Sequence, residues 1–225
     1  MELKEIVKDF IEEMVKRNMS LFHKSSEDIR KIYPHLNNEQ ISRKLIFKAN
    51  LSTAAVGVGT TVLSQLPMLA GPTGIVASLG ANAATAYYDF QKCTNIQSAL
   101  VVKIAALYGY QLDEKNELHR CIVLESIFGQ ELELAAQLAG KFIEKGAKIL
   151  LKKYFTESIV KQLYRDILEK IGVNVASRVT SRQIAKFIPL IGPLTVGAIN
   201  WWAAGSVGET AIKIFSAARN KNVEL

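Results

Sequence analysis

The chain has 225 residues, 49% of them hydrophobic and 22% charged, and its formal net charge is +7. That length leaves room for a sizeable core, and that balance excludes a largely disordered chain. The opening MELKEIVKDFIEEMVKR mixes both charge signs with apolar residues at helical spacing. It has the form of neither a secretory signal nor a transit peptide, so the expected location is the cytoplasm. Cys93 and Cys121 supply neither a metal-ligand cluster nor a disulfide framework, and both read as buried reduced thiols.

Taken in chain order, the pattern reads as helix throughout. Leu3, Val7, Phe10, Met14 and Leu21 recur at intervals of three, four or seven, the signature of one apolar helix face. A short helical turn around Ser26–Tyr33 breaks before Pro34. Asn37 or Asn38 then caps a long helix toward Gln65. Pro72 suits the first position of a helix that continues to Leu107 and stops near Gly109. Asp113 is the expected cap of the next helix, with Glu114 and Glu117 in its first turn, and Gly129 its end. Further helices are expected over about Glu131–Tyr154, from Thr156 to Gly172, and ahead of Pro189. Pro193 is expected to open a last helix reaching Arg219.

Two stretches carry no charge: Ala49–Tyr88, 40 residues, and Phe187–Gly208, 22 residues. They share a motif, since LPMLAGP at Leu66–Pro72 is echoed by IPLIGP at Ile188–Pro193. A helix needs roughly 20 apolar residues to cross a hydrocarbon layer of about 30 Å. The two halves of the first block would reach only about 24–27 Å at about 1.5 Å per residue. They are rich in Ala, Gly, Ser and Thr rather than Leu, Ile and Phe, and Pro193 shortens the second block. Small residues let helices approach closely in soluble cores and in membranes alike. The expectation is a buried core, with partial or triggered insertion as the second arrangement and a spanning hairpin as the third.

Charge is unevenly placed. Residues 141–186 hold 11 basic and 4 acidic groups and so account for the whole net charge. Within GKFIEKGAKILLKKYF (Gly140–Phe155), Lys141, Lys145, Lys148 and Lys152 fall in one stripe of about 60° beside an apolar face. Lysines so placed can bury their stems and hold their ammonium groups at phosphate level, each contributing about 1 kcal/mol at an anionic surface. Arg178, Arg182 and Lys186 form a second row leading into the second uncharged block. A solvated face on an ordinary helix is the plainer explanation of such stripes. Trp201 and Trp202 are the only tryptophans. Adjacent helix positions point about 100° apart, so one can pack inside while the other faces out at headgroup level. Packing of both inside is the commoner arrangement.

Several stretches resemble the EcsC family of bacterial proteins: AAVGVGT (Ala54–Thr60), LPMLAGPTG (Leu66–Gly74) and IAALYGYQLDEKNE (Ile104–Glu117), with KFIPLIGPLTVGAIN (Lys186–Asn200) and AIKIFSAAR (Ala211–Arg219). The likeness covers about residues 40–219; where the family often has Asp before Pro, this chain has Gln65-Leu66-Pro67. The resemblance implies an α-helical protein on the cytoplasmic side of a membrane, sometimes beside transport or secretion machinery. It brings no catalytic residues with it.

Catalytic signals are weak. Ser158 and Lys161 fit S-x-x-K without its companion motifs, and sit in an amphipathic helix. His23, His35 and His119 have no ligand spacing, and Gly57-Val-Gly59 lacks the third glycine of a dinucleotide loop. Nucleic acid suits the basic segment less well than lipid, because lysines outnumber arginines there and aromatic residues are not interleaved. The expectation is therefore all-α: a single domain over 1–225, with an N-terminal arm (1–36) and a main body (37–225). It would have about eight or nine helices, with two hydrophobic helices, each opened by Pro and Gly, at the centre. The expected function is a non-enzymatic, amphitropic protein docking on the cytoplasmic face of anionic phospholipid membranes, with a membrane protein as a further partner and no metal or cofactor. A soluble hydrolase with a site assembled in three dimensions, and a soluble interaction module, are the alternatives.

Overall fold

The structure is a computed structural model and describes residues 3–22, 25–65, 72–129, 161–162, 164–173 and 191–220. Among these residues every regular element is a helix, which makes the protein all-α. In chain order the helices are α1 (Leu3–Phe22), α2 (Ser26–Ile32), α3 (Asn38–Gln65), α4 (Pro72–Leu107), α5 (Glu117–Phe128), α6 (residues 164–173) and α7 (Ile191–Asn220). The helix expected from Thr156 to Gly172 is seen over residues 161–162 and α6. Those expected over 131–154 and before Pro189 lie outside the described residues.

Helix α1 buries Val7, Ile11, Met14, Val15 and Met19 along one face. Lys8 and Lys16 pair with Glu5 and Glu12 one turn back. Lys8 also reaches Glu169 of α6 at 3.0 Å, and Lys4 pairs with the same carboxylate. Helix α1, within the expected N-terminal arm, contributes its buried face to the core. That cluster also includes Val101 and Ile104 of α4, Val123 and Leu124 of α5, Ile171 of α6, and Phe215 of α7. Leu21, expected on the buried stripe, is 65% exposed, because its side chain lines a surface pocket at the end of α1.

Local chemistry sets the next boundaries. Asn37 and Gln40 cap α3 reciprocally: Asn37 Oδ1 accepts from the Gln40 N–H at 2.9 Å, and Gln40 Oε1 from the Asn37 N–H at 3.0 Å. Asn38 is left to another task, donating Nδ2 to the Leu107 carbonyl at 2.8 Å. Arg30 joins them, 2.6 Å from Asn38 Oδ1 and 3.3 Å from the same carbonyl. Helix α4 stops where Gly109 takes a φ of +93°, a left-handed conformation that costs glycine little. The Gly109 N–H then bonds Ala106 O at 3.1 Å and the Tyr110 N–H bonds Ala105 O at 3.0 Å, closing the last turn. The cap of α5 is Asn116, whose side chain accepts from the Leu118 and His119 N–H groups. Asp113, expected in that role, accepts from the Lys115 N–H at 2.9 Å instead and makes a turn ahead of the helix. Helix α7 begins at Ile191, two residues before Pro193, so the proline sits within the first turn, where no N–H is needed.

Helix α3 runs antiparallel to both α4 and α7. Asn38 meets Leu107 and Thr60 meets Asp89 on α4. On α7, Arg43 meets Glu209 and Gly57 meets Val196. The uncharged parts of all three helices therefore gather at one end of the trio and their charged ends at the other. The α3–α7 seam is close. A Cβ on Gly57 would lie 2.6 Å from Asn200 Nδ2 and 3.1 Å from the Val196 backbone carbon, and one on Gly197 would lie 2.8 Å from Val58 Cγ2. Gly59, one turn-half away, faces open space. Gly57→Ala should therefore destabilise the protein by about 1–3 kcal/mol through overpacking. Gly59→Ala should stabilise it by about 0.5–1 kcal/mol through helix propensity. Urea denaturation of the two variants checks the pair; equal effects would show that the seam is looser than described.

Candidate functional site

Three features stand out among the described residues: a buried polar knot, an exposed apolar face and a desolvated group on α5. The knot lies where α3, α4 and α7 meet. Asp89 of α4 is 0% exposed, and its Oδ1 accepts from Asn200 Nδ2 of α7 at 3.0 Å and from Thr60 Oγ1 of α3 at 3.4 Å. Cys93 Sγ lies 3.8 Å from the same oxygen. The Asn200 amide also donates to Thr53 O at 3.2 Å, and Thr53 Oγ1 lies 3.1 Å from Asn200 O. The knot is thus a set of reciprocal bonds linking three helices, and its donor count suits a carboxylate removed from water.

On the opposite side of the same helices the chain turns apolar side chains outward. On α3, Phe47, Leu51, Val62 and Leu63 are exposed, the first two at i, i+4 spacing. On α7, Leu194 is 73% and Trp202 65% exposed, and together with Ala198 and Ile199 they border one shallow hollow. Trp201, half-buried, packs edge-on against Phe47 with ring centroids 5.6 Å apart, which joins the two stripes into one face. The commoner arrangement, both tryptophans inside, does not hold here: successive residues diverge by about 100°, and Asn200, Ala204 and Val207 take the inner face. The part of the face within the two uncharged stretches carries no charge, while Phe47 lies just outside them, next to Lys48. Lys48 lies 5.4 Å from the Tyr33 ring and Lys92 lies 5.2 Å from the ring of Tyr88, itself exposed. By length and mean hydropathy (1.2), Asn38–Leu63 is sufficient to cross a membrane, a property shared with core helices of soluble proteins.

On α5, Arg120 is buried with its guanidinium 4.5 Å from the Tyr164 ring, pairs with Glu117 at 3.2 Å and donates to Glu114 O. His119 Nδ1 accepts the Asp113 N–H at 2.9 Å, which gives the ring a structural task. Burial pushes the Cys121 thiol up to about 12, so it is inert at neutral pH. Desolvation likewise pushes the half-buried Glu125 carboxyl up to about 7.

The sequence-derived lipid-contact residues divide sharply. Lys141, Lys145, Lys148, Lys152, Arg178, Arg182 and Lys186 lie outside the described residues, as does Ser158. Trp201 and Trp202 are described, and only Trp202 points fully outward. Phe47, Leu51 and Leu194 were missed. Their signal was present as i, i+4 spacing for Phe47 and Leu51 and i, i+8 spacing for Leu194 and Trp202, on helices whose inner faces are also rich in small and apolar residues, which hides a stripe. No family model, curated protein or solved structure matches the chain.

The Glu125 carboxyl has a pH consequence. It holds its proton more tightly in the folded chain than in the unfolded one, where a glutamate titrates near 4.5. Its contribution to stability is therefore complete below that value and lost as pH rises through about 7. Glu125→Gln should be close to wild type at about pH 5 and more stable than wild type at about pH 8. Urea midpoints at the two pH values measure this; a difference independent of pH would remove Glu125 as the cause.

Proposed function

We propose that the protein is a non-enzymatic, amphitropic membrane protein that docks reversibly on the cytoplasmic face of anionic membranes, as an accessory to a transport or secretion system. The observation that carries this reading is the apolar face of α3 and α7, bearing Trp202 and Leu194, with Lys48 at its α3 end. Exposed apolar area of this kind is rare on a monomer without a partner, and tryptophan with flanking lysine suits the headgroup layer. Within this reading, α4 and α7 form the hydrophobic centre of a domain of eight or nine helices. The basic stripe of Lys141, Lys145, Lys148 and Lys152, with Arg178, Arg182 and Lys186, adds electrostatic attraction. The likeness to the EcsC family belongs to the same proposal and agrees with it.

Energetically, each large side chain moved from water into the acyl boundary contributes about 1.5–3 kcal/mol, and each lysine at an anionic surface about 1 kcal/mol. The double variant Leu194→Ser/Trp202→Ser should weaken partitioning into anionic vesicles by roughly a hundredfold or more. Co-sedimentation across a salt series measures it. Unchanged partitioning of the variant would remove the α3–α7 face from the contact, and a wild-type protein that binds no vesicles would overturn the reading.

The hydrolase alternative has one observation in its favour, the Glu125 carboxyl, poised where a general acid–base works. It ranks second because, among the described residues, Glu125 Oε2 is buried without a hydrogen-bond partner and no nucleophile is bonded to it.

A further inference from the structure

A pocket of about 470 Å³ opens between α1, α3 and α4, and its lining has an unusual charge balance. Arg17, Lys48 and Lys103 contribute to it, and no carboxylate does so among the described residues. Arg17 Nη2 donates to Asn95 Oδ1 at 2.8 Å, and Asn18 Nδ2 donates to the same oxygen at 3.1 Å. That oxygen is thereby used, and the Asn95 amide keeps its N–H donors for another acceptor. Lys103 is the group least well served. Its ammonium lies 4.2 Å from the Phe22 ring, it makes no ion pair among the described residues, and its neighbouring charge is the like-signed Lys48. Burial and that repulsion both push its pKa down. A half-buried cation facing a second cation is unfavourable by itself, and an anion between them converts repulsion to attraction. Around these groups the walls are apolar, formed by Leu21, Phe22, Leu45 and Leu100.

We propose that this pocket binds the phosphate of an anionic amphiphile, with Arg17, Lys48 and Lys103 on the phosphate and the apolar wall against the adjoining carbons. Its volume holds a headgroup and the first carbons of a chain rather than a whole lipid. Its position agrees, because Lys48 is the last charge on α3 before the uncharged stretch that begins at Ala49. On α3 the pocket thus lies at the boundary of the uncharged stretch, the depth of the phosphates if that part of α3 enters a bilayer. In naming a membrane lipid as the source, this inference rests on the docking function proposed above; the phosphate chemistry stands without it.

The test is calorimetric titration of the full chain with monomeric dihexanoyl phosphatidic acid, with dihexanoyl phosphatidylcholine and inorganic phosphate as the other arms. Wild type should bind the phosphatidic acid and not the phosphatidylcholine, with inorganic phosphate weaker than the lipid by about tenfold or more. Lys103→Met should weaken lipid binding by at least about tenfold, and Lys48→Gln, at an exposed site, should weaken it too. Lys103→Met should melt no lower than wild type, since it removes a desolvated charge, so lost binding is not lost folding. Leu194→Ser/Trp202→Ser should keep its affinity for the soluble lipid while losing vesicle binding. Equal heats for the two lipids, or wild-type affinity in Lys103→Met, overturn the site. Inorganic phosphate binding as tightly as the lipid overturns the amphiphile as the occupant. Binding of soluble phosphatidic acid by a protein that ignores vesicles sustains the pocket and sinks the docking function. Vesicle binding unaltered by Lys103→Met, with no titration by soluble lipid, does the reverse.

Discussion

A carboxylate shut away from water holds the architecture in place. Asp89 needs donors wherever it is buried, and here they come from two other helices, Thr60 on α3 and Asn200 on α7. An unpaired group at that depth costs several kcal/mol, so the three helices are bound to the one register that brings the donors in. The surrounding seam of Ala, Gly, Val and Thr would tolerate slippage by a turn, about 5.4 Å, because small side chains pack against one another in several registers. Asp89 removes that degeneracy. Thr53 and Asn200, exchanging bonds between side chain and backbone, make the same choice from the other two helices.

Register in turn sets polarity. With α3 antiparallel to α4 and α7, the first charges met on leaving the uncharged end are Lys48, Asp89 and Glu209, one on each helix. Asp89 is taken inside, while Glu209 pairs with Arg43 at 3.1 Å. The charged end is tied a second time by Asn38 and Arg30 around the Leu107 carbonyl. Ion pairing thus ties the charged end. The uncharged end is held by close contact and by the bonds among Thr53, Thr60, Asn200 and Asp89, and presents Leu51, Val62, Leu194 and Trp202 outward.

What could be read in the sequence was mostly what is local. Helix α4 starts and stops where Pro72 and Gly109 say it should, because a fixed φ and a left-handed turn are properties of single residues. Choices between equals were not readable. Asn37 and Asn38 both make good caps, and the decision lies with a carbonyl 69 residues away that needs Asn38. Asp113 yields to Asn116 because the His119 ring claims the Asp113 N–H, a contact that follows only from the folded loop. Nothing local marks Asp89 as buried, because its donors come from Thr60 and Asn200 on other helices. The pair Trp201-Trp202 announces divergent directions, but which one faces out depends on where Asn200 must point.

The α3–α7 seam has a property that the hydrophobic core around α1 lacks. Water drives Val7, Ile11 and Phe215 together, and the same side chains would gain little from each other in oil. At Gly57 and Gly197 the helices are held by atomic contact, and nearby by bonds among Thr53, Asn200 and Asp89, none of which depends on water being outside. An environment of hydrocarbon would leave that adhesion almost unchanged. The two helices carrying the apolar face are therefore joined by forces that do not depend on which solvent surrounds them.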